Sequence, residues 1–557
     1  MFKLTEDVQM NFTKDRMFSA NGQAKEAVEG SKAKLFGDVI FPNIDEEKFR
    51  PLFSDIVSRP NISISRYIVA LALITEYGFS IPVFIELLRS GSLTLQYALR
   101  TTQFEEQPLS ESSLRRFKRS IGEYNKEHGC DLIKDEVKRI SRMMALDMRL
   151  LGGSGGSADG EDPNGVILSR MDSMEIEMRA KAMTRLEIIY TATAIMIRRL
   201  VSRDYAELIP ERLYHYMKEG DKNAALYYRV SAEKKAGVQE SRVADAIHEM
   251  ELLQKAMLDN FTPAFLEKID EYLVFRRVLE EQSVIGEDGA RIPRDKKDIS
   301  PSSVQNPFDT SATYRKKHGM HHGFVLNLVE AVDGKGNGII LDAELEPNVA
   351  SDNQMESKYL DSLPDNGPRQ VLIADGAYNG KDVEELAARK NVEVFTTSLT
   401  GKDPDQHYAD FILNDGESEV ITCPGACQPS KGCSYNEETG QITAVFDIGA
   451  CAGCPFKSRC KARLNAKEGT STVKLTNKQV RRARQARGLS SEEARKYARL
   501  RNGVEGIMSV MRRKYRLDDL HVFGLEHSKP IVWLSILAYN ANKYGKYLSS
   551  IEQPVAA

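Results

Sequence analysis

The segment VLIADGAYNG (residues 371–380) carries the clearest information about the fold. Its run of apolar, partly β-branched residues predicts a strand that is buried on both faces. The run ends at Asp375, which glycine follows, and this is where α/β sheets commonly place functional groups. An aspartate at this point can also simply cap the next turn. We interpret Asp375 as a functional carboxylate on a central sheet.

Other segments extend this sheet in both directions along the chain. Strand patterns occur in VILSRMDSMEI, HGFVLNLVEAV, GIILDAELEP and VEVFTTS, and a helical pattern, KDVEELAARK, lies between the last two strands of the series. Strands alternating with covering helices predict an α/β fold with one mixed sheet, assembled from segments that are far apart in sequence.

The remaining segments define four predicted units. Residues from about 40 to 150 show helical periodicity with interspersed basic residues, and the Gly/Ser/acidic loop LLGGSGGSADGEDPNG forms a boundary after them. We expect a helical N-terminal DNA-binding domain at 1–150 and the first part of a catalytic core at 166–400, with a helical insertion at about 178–280. A Cys-rich insertion at 401–480 and the last part of the core at 481–550 complete the order.

Charge is distributed unevenly along the chain. The 557 residues carry a formal net charge of only −3, which argues weakly against a nucleic-acid partner. Residues 457–516, however, hold nineteen Lys and Arg against four Glu and no Asp. This local excess favours contact with phosphates, although a solvated, salt-bridged helix face is the alternative.

Two further carboxylates attract attention because of their surroundings. Asp172 lies inside an otherwise apolar strand, where an unpaired charge is unfavourable and metal coordination would explain it; a turn at the strand end is the alternative. Glu505 lies in a basic helical segment and shares one helix face with Arg501 and Arg512. Divalent ions held by a few such carboxylates can activate a nucleophile and stabilise a leaving oxygen in phosphodiester chemistry.

These positions resemble the insertion-sequence DDE transposases in an ordered series. VLIADGAYNG is similar to the family's second-aspartate strand, RMDSMEIEM to its first-aspartate strand, and Tyr497, Arg501, Glu505 and Arg512 to its Tyr–Arg–Glu–Lys signature. Here Arg512 stands in place of the usual Lys, and the gap from Tyr497 to Arg501 is one residue longer than usual. The resemblance covers about residues 40–547.

The resemblance implies a fold, a reaction and a set of site residues. The fold would be a ribonuclease-H-like mixed sheet with a helical N-terminal domain and helical and Cys-rich insertions. Asp172, Asp375 and Glu505 would be catalytic and would hold Mg²⁺ or Mn²⁺, with Asp309 and Asp162 as substitutes for Asp172. Tyr497, Arg501 and Arg512 would contact DNA. Partners would be the transposon's terminal inverted repeats, target DNA and further copies of the chain.

Six of the seven cysteines fall between Cys423 and Cys460. A disulfide framework is not expected in a large chain without a secretion signal, whereas a Cys-x2-Cys step flanked by further cysteines can close a zinc site. The preferred ligands for a structural Zn²⁺ are Cys423, Cys451, Cys454 and Cys460, with Cys427 or Cys433 as substitutes. Free thiols are the alternative.

The sequence thus predicts a DDE transposase that cleaves DNA at transposon ends and transfers the strands into target DNA. Two alternatives stay open: a metal-dependent nuclease without strand transfer, and an inactive, transposase-derived DNA-binding protein. Because the chain has no signal-peptide pattern and no long uncharged apolar run, we expect a cytoplasmic protein that associates with the bacterial nucleoid when bound to DNA.

Overall fold

A computed structural model describes most of the chain. The described residues are 2, 4, 22–54, 61–101, 108–151, 165–177, 179, 182–217, 235–287, 289–316, 319–378, 381–397, 404–489, 491–518 and 520–552. For residues 235–241, 381–382 and 552 the backbone alone is described. The substitute candidate Asp162 lies outside these residues.

A mixed six-stranded sheet forms the centre of the molecule. Its strands are β1 (Ile167–Glu177), β4 (Thr313–Lys316), β5 (Met320–Val332), β6 (Gly338–Pro347), β7 (Gln370–Ala374) and β8 (Val392–Thr396). The order is β4-β5-β1-β7-β8, and β6 pairs with β5 beside β4. β5 runs antiparallel to β1, β4 and β6, whereas β7 is parallel to both β1 and β8. The mixed α/β fold predicted from the sequence is therefore confirmed.

The register between β1 and β7 fixes the position of the two aspartates. Ile167 pairs with Gln370, and Arg170 pairs with Ile373. The same offset, continued for two residues past the last pair, brings Asp375 alongside Asp172. Two carboxylates separated by two hundred residues of sequence thus reach the same level of adjacent parallel strands.

Helices from both ends of the chain cover one face of the sheet. The N-terminal helices are α1 (Gly22–Glu29), α2 (Lys32–Leu35), α3 (Ile64–Tyr77), α4 (Ile81–Arg89), α5 (Leu93–Ala98), α6 (Glu111–His128) and α7 (Leu132–Asp147), with a π segment at Phe36–Ile40 and 3₁₀ segments at Phe41–Asn43 and Glu46–Leu52. Two later helices, α17 (Glu492–Arg513) and α18 (Leu525–Glu552), pack on the same face. One continuous core joins them to the sheet, so the N-terminal helices share their apolar interior with the central strands.

A smaller cluster covers the opposite face. Helices α12 (Asp352–Asp361) and α13 (Lys381–Arg389) pack there against β1, β5 and β7. Met171 and Leu372 point into this cluster, whereas Met174 and Ile176 point into the larger core. Because side chains alternate along a strand, Asp172 and Ser173 lie on opposite faces of β1.

The helical insertion between β1 and β4 has a core of its own. It consists of α8 (Arg185–Val201), α9 (Lys235–Asn260), α10 (Pro263–Leu266) and α11 (Asp270–Gln282), followed by the hairpin of β2 (Ser283–Ile285) and β3 (Arg291–Pro293). Short 3₁₀ segments occur at Ala206–Leu208, Glu211–Met217 and Lys296–Asp298.

The Cys-rich segment forms a compact unit after β8. A four-stranded sheet has the order β11-β12-β14-β13, and the pair β9 and β10 lies before it in sequence. Its elements are β9 (Ile412–Leu413), β10 (Val420–Thr422), β11 (Cys433–Asn436), β12 (Gln441–Asp447), α14 (Ile448–Ala452), α15 (Lys457–Cys460), β13 (Arg463–Asn465), β14 (Thr470–Thr476) and α16 (Asn477–Gly488), preceded by a 3₁₀ segment at Gln406–Asp410. Phe411, Phe446 and Leu475 are buried in its core.

None of the described helices is by itself long and apolar enough to cross a membrane, although α3 and α4 together meet that criterion across a bend of 109°.

Candidate active site

Asp172 lies in the middle of β1 and is mostly buried, with 17% of its side chain exposed. Its Oδ1 accepts a hydrogen bond from the backbone N–H of Ser173 at 2.9 Å. Burial raises the pKa of Asp172 above its ordinary value, and the nearby Arg501 guanidinium opposes that shift. Arg501 therefore favours the charged form of Asp172.

Asp375 begins the turn that follows β7. Its Oδ1 accepts the backbone N–H of Ala377 at 3.0 Å, and its carbonyl oxygen accepts that of Tyr378 at 3.1 Å. The other carboxylate oxygen of Asp375, Oδ2, faces Arg501, and 44% of the Asp375 side chain is exposed. Asp375 thus caps its turn and faces the site with its other oxygen, so the capping interpretation and the functional one are compatible.

Glu505 is presented by α17, which packs against β1 and β7. Arg170 of β1 anchors this helix, because its guanidinium donates to the carbonyl oxygen of Leu500. A side chain at Gly503 would collide with that guanidinium, since a Cβ placed there would lie 2.0 Å from Arg170 Nη1. Arg170 is also paired with the fully buried Glu330 of β5. This contact explains the helix-weakening glycine beside Glu505.

Arg501 joins all three carboxylates. Its Nη2 lies 3.0 Å from Asp172 Oδ2 and 3.6 Å from Asp375 Oδ2. Its Nη1 lies 3.7 Å from Glu505 Oε1, one helical turn further along α17. The Nε of Arg501 is buried and has no hydrogen-bond partner. A single guanidinium therefore supplies the positive charge around which the three acids are gathered.

Tyr497 and Arg512 lie away from this guanidinium. The hydroxyl of Tyr497 donates to Glu493 Oε1 at 3.0 Å, and its ring meets Phe395 edge-on at 5.0 Å. Burial and the bond to Glu493 raise the pKa of Tyr497 to about 12. Arg512 is exposed near the end of α17. Their predicted contact with DNA stays a prediction.

The two basic helices differ in how their cations are paired. In α16, Arg481 contacts Glu417 at 2.8 Å and Arg487 contacts Asp410 at 2.6 Å. In α17 the exposed cations form no ion pair within the described residues; they are Arg495, Lys496, Arg499, Arg512 and Arg513. The salt-bridged alternative thus describes part of α16, whereas these five exposed cations of α17 are free to contact phosphates.

A second polar cluster lies on the other face of β1, and sequence patterns did not single it out. Ser173 Oγ donates to Asp352 Oδ1 at 3.0 Å, and the buried Tyr378 hydroxyl donates to Asn327 Oδ1 at 3.0 Å. Glu356, one turn after Asp352 on α12, is fully buried with neither carboxylate oxygen hydrogen-bonded. Burial raises the pKa of Glu356 to about 8. The local sequence of α12 carries no signal for this enclosed carboxylate.

Five of the six clustered cysteines line one small cavity of about 20 Å³ in the Cys-rich unit, and they are Cys423, Cys427, Cys451, Cys454 and Cys460. Burial, together with the neighbouring thiols of Cys423, Cys454 and Cys451, raises the pKa of Cys460 to about 12. Cys433 lies apart, and its sulfur accepts the backbone N–H of Val420 at 3.4 Å. The structure thus groups all four preferred ligands with Cys427 and separates Cys433 from them.

The substitute Asp309 has a different environment. It is buried, and its Oδ2 accepts the backbone N–H of Gly524 at 2.9 Å, directly before α18. Its Oδ1 accepts the Ser311 hydroxyl at 2.7 Å. Asp309 therefore holds a loop against a helix start and has no contact with Arg501 in the described structure.

Among the described residues, no group of three or more His, Cys, Asp or Glu side chains is arranged closely enough to hold a metal ion. The three acids contact the Arg501 guanidinium instead. The five cysteines that line the small cavity are likewise not at metal-ligand spacing.

One family model matches part of the chain. Residues 422–545, less than a quarter of the chain, match the family model described as Transposase DDE domain. This match supports the prediction of a DDE transposase. The matched segment contains Arg501, Glu505 and all six clustered cysteines.

No curated protein matches the chain.

Proposed function

We propose that the chain cleaves DNA at transposon ends and transfers the freed strands into target DNA. The observation that carries this proposal is the convergence of Asp172, Asp375 and Glu505 on Arg501. The family match supports a transposase-type function in general. The order β6-β5-β1-β7-β8, with β5 antiparallel and β7 and β8 parallel to β1, supports a ribonuclease-H-like core.

The donor set fits Mg²⁺ or Mn²⁺. All three side chains offer carboxylate oxygens, which these hard cations prefer, and the site already gathers its acids around positive charge. Asp172, Asp375 and Glu505 would hold the ions, which supply charge stabilisation for an attacking and a departing oxygen. The carboxylates have to draw together after Arg501 leaves them, because the guanidinium now lies between them.

Residues of α17 would position the DNA. When Arg501 is released from the acids, its guanidinium becomes available to a phosphate on the same helix face. Arg499 and Arg512 extend the positive surface on either side of Glu505. Buried Asp172 accepts a backbone N–H from Ser173, which orients its carboxylate toward the site. Terminal inverted repeats and target DNA are the proposed partners.

Cleavage and strand transfer are tested in two assays with purified protein. DNA carrying the element's own ends is incubated with Mg²⁺ in one sample and with a chelator in another. Cleavage that occurs only in the Mg²⁺ sample supports the metal-dependent reaction. Pre-cut ends are then incubated with a target plasmid. Joined products support a transposase, cleavage without joining supports the nuclease alternative, and DNA binding without either supports an inactive descendant.

We also propose a structural Zn²⁺ in the Cys-rich unit. Four or five thiols around one small cavity provide soft ligands of the kind that zinc prefers, and Cys423, Cys451, Cys454 and Cys460 are the proposed set. The unit is small, so metal binding would contribute to its folding free energy. Metal analysis of protein purified without chelator tests this, with one zinc per chain expected.

Assembly and location follow from the same function. Copies of the chain are proposed to assemble on paired transposon ends, in the cytoplasm and at the nucleoid when DNA is bound. Light scattering of the protein with and without end DNA measures the assembly, and the mass of a single chain, free or bound to a single DNA end, in all conditions contradicts it.

A further inference from the structure

Two arginines link β1 to α17, and each of these elements contributes one of them. Arg501 of α17 reaches Asp172 of β1, with 3.0 Å between Nη2 and Oδ2. In the opposite direction, Arg170 of β1 donates to the carbonyl oxygen of Leu500, the residue directly before Arg501. Arg170 and Asp172 lie on the same face of β1, because side chains alternate along a strand. Both links therefore act at the same level of the helix.

The two links differ in what they depend on. Arg501 contacts the three acids, so an ion bound by those acids has to displace it. The described partners of Arg170 are a backbone carbonyl oxygen and Glu330 of β5, neither of which belongs to the acid site. Binding of an ion thus breaks the Arg501 link and leaves the Arg170 link intact. Of these two arginines, Arg170 provides the permanent connection between β1 and α17.

Arg170 is held in place by Glu330. The two residues are direct cross-strand partners in the pairing of β1 with β5. Arg170 Nε donates to Glu330 Oε2 at 2.6 Å, and the Glu330 side chain is fully buried. The Tyr539 hydroxyl of α18 lies 3.5 Å from Oε1, and a Cβ at Gly338 of β6 would lie 2.4 Å from that oxygen. The carboxylate is therefore closely enclosed, and it fixes the guanidinium.

Two glycines of α17 flank Glu505, and they differ in their surroundings. A Cβ at Gly503 would lie 2.0 Å from Arg170 Nη1, whereas a Cβ at Gly506 would meet no atom within 4 Å. The end of an arginine side chain can ordinarily swing away from an added methyl group. Here the bond to buried Glu330 opposes that movement. The guanidinium of Arg170 thus sets how closely α17 approaches β1.

A buried ion pair of this kind provides fixed geometry more than stability. Desolvation of the two charges offsets much of their attraction, and apolar residues of similar size often replace such a pair without loss of stability. Residues that hold metal ligands in place, by contrast, change metal affinity or activity by roughly 10- to 100-fold when they are substituted. Replacing both charges together therefore separates a role in stability from a role in geometry.

We propose that Arg170 is a positioning residue, which keeps α17 at a fixed distance from β1 and so sets the separation of Asp172 and Glu505 when they hold ions. This inference rests on the proposed function and extends it to a residue outside the acid site. Arg170 lies two residues before Asp172 on the strand, and its acceptor Leu500 lies five residues before Glu505 on the helix. A shift of the helix at this contact changes the distance between the two acids directly.

Binding of Mn²⁺ by full-length protein tests the inference without DNA or cleavage, and the loss of the free-ion signal in electron paramagnetic resonance measures it. The relevant sites are those that Asp375→Asn removes. Arg170→Lys keeps the charge but lacks the planar fork that reaches both Glu330 and Leu500, so it should weaken Mn²⁺ binding by roughly tenfold or more. The double variant Arg170→Met/Glu330→Leu leaves neither charge buried. It should show the same loss at a melting temperature close to that of wild-type protein.

Gly503→Ala and Gly506→Ala form a matched pair, because each adds one methyl group to the same helix and raises its intrinsic helix propensity equally. Gly503→Ala should weaken Mn²⁺ binding by roughly tenfold, and Gly506→Ala should leave it unchanged. In the double variant Arg170→Met/Glu330→Leu, Gly503→Ala should have no further effect, since the guanidinium that it meets is absent.

Wild-type Mn²⁺ affinity in the double variant overturns the inference, because Arg170 would then serve stability alone. Equal effects of the two alanine substitutions overturn it as well. If Arg170→Lys does not fold, the double variant and the alanine pair decide the question, since they leave no unpaired charge in the core. Wild-type protein that binds no Mn²⁺ at sites sensitive to Asp375→Asn counts against the proposed function itself.

Discussion

The acid site and the cysteine cavity differ in how they limit repulsion between neighbouring ionisable side chains. Each is a proposed metal site whose side chains would bind the ion as anions. The carboxylates are ordinarily ionised at neutral pH, so the fold places Arg501 among them as an internal cation. The thiols can keep their protons, and burial beside other thiols raises the pKa of Cys460 to about 12, so no cation is required.

This difference predicts two routes for metal entry. A divalent ion at the acids has to replace Arg501, whereas an ion at the cysteines has to replace protons. The first exchange leaves the guanidinium free for another partner, such as a phosphate. The second makes metal affinity depend on pH. The following experiments, ordered from the largest expected effect to the smallest, test the two halves of this comparison.

Asp375→Asn should reduce DNA cleavage by roughly a thousandfold or more, because it removes a proposed metal ligand while keeping the turn hydrogen bond to Ala377 possible. Single-turnover cleavage in Mg²⁺ provides the measurement, and DNA affinity in chelator is expected to change little. Asp365→Asn, at an exposed position paired with Lys390, is the control. Retention of near wild-type cleavage would remove Asp375 from the proposed mechanism.

Cys451→Ser should abolish stoichiometric zinc and expose the Cys-rich unit to proteolysis, because Cys451 lines the cavity. Cys433→Ser should leave the zinc content unchanged, since its sulfur lies apart and contacts Val420. The two variants are compared by metal analysis and by limited proteolysis. Equal zinc loss in both variants would contradict the ligand grouping.

Zinc binding to metal-free protein should release protons near neutral pH, because the thiolate is the form that binds metal. The raised pKa of Cys460 means that this thiol is protonated before binding. Calorimetry in buffers of different ionisation enthalpy measures the proton number, and zinc affinity should rise with pH. Binding without proton release would show that the thiols are already ionised.

Arg501→Gln should lower the free energy of unfolding in chelator by about 1–3 kcal/mol, because the acids then lose their cation. The value lies below that for a fully buried pair, since Glu505 and Asp375 keep contact with water. Mn²⁺ should then raise the melting temperature more in the variant than in wild-type protein. Arg499→Gln, an exposed position on the same helix, is the control. An unchanged response to Mn²⁺ would argue against competition between Arg501 and the ion.

Glu356→Gln should flatten the dependence of stability on pH. Folded protein keeps the Glu356 proton up to about pH 8, whereas the unfolded chain releases it near the ordinary pKa of about 4.3. The native state binds more protons between these values, so the free energy of unfolding falls as pH rises through this window. The variant should therefore be more stable than wild-type protein at pH 8, with little difference near pH 4. Exposed Glu384→Gln is the control, and identical pH profiles for all three proteins would contradict a buried, protonated Glu356.

Strand patterns predicted much of the sheet because each strand is a local feature. VLIADGAYNG gives β7, and VILSRMDSMEI gives β1 within a residue of its ends. The pattern of the basic segment also predicted its helices correctly. It did not predict which of its basic side chains form ion pairs. Arg481 and Arg487 find acids from earlier in the chain, and that pairing depends on how α16 packs.

The candidate site was only partly accessible to such patterns. The three acids stood out through their local sequence, yet Arg170 looked like an ordinary strand residue and Gly503 like a defect in a helix. Their close contact appears only when α17 lies on β1. Glu356 was overlooked for the same reason, because nothing in DNQMESKYLD shows that its carboxylate is fully enclosed.

The sequence by itself determined the alternation of strands and helices, the three acids in their strand and helix contexts, and the spacing of the cysteines. All of these depend on residues that are neighbours in the chain. Only the tertiary structure decided that one guanidinium holds the three acids together, that Cys433 lies apart from the other thiols, and that Arg170 lies against α17. Those outcomes depend on the register of β1 with β7 and on the docking of α17, which bring together side chains hundreds of residues apart.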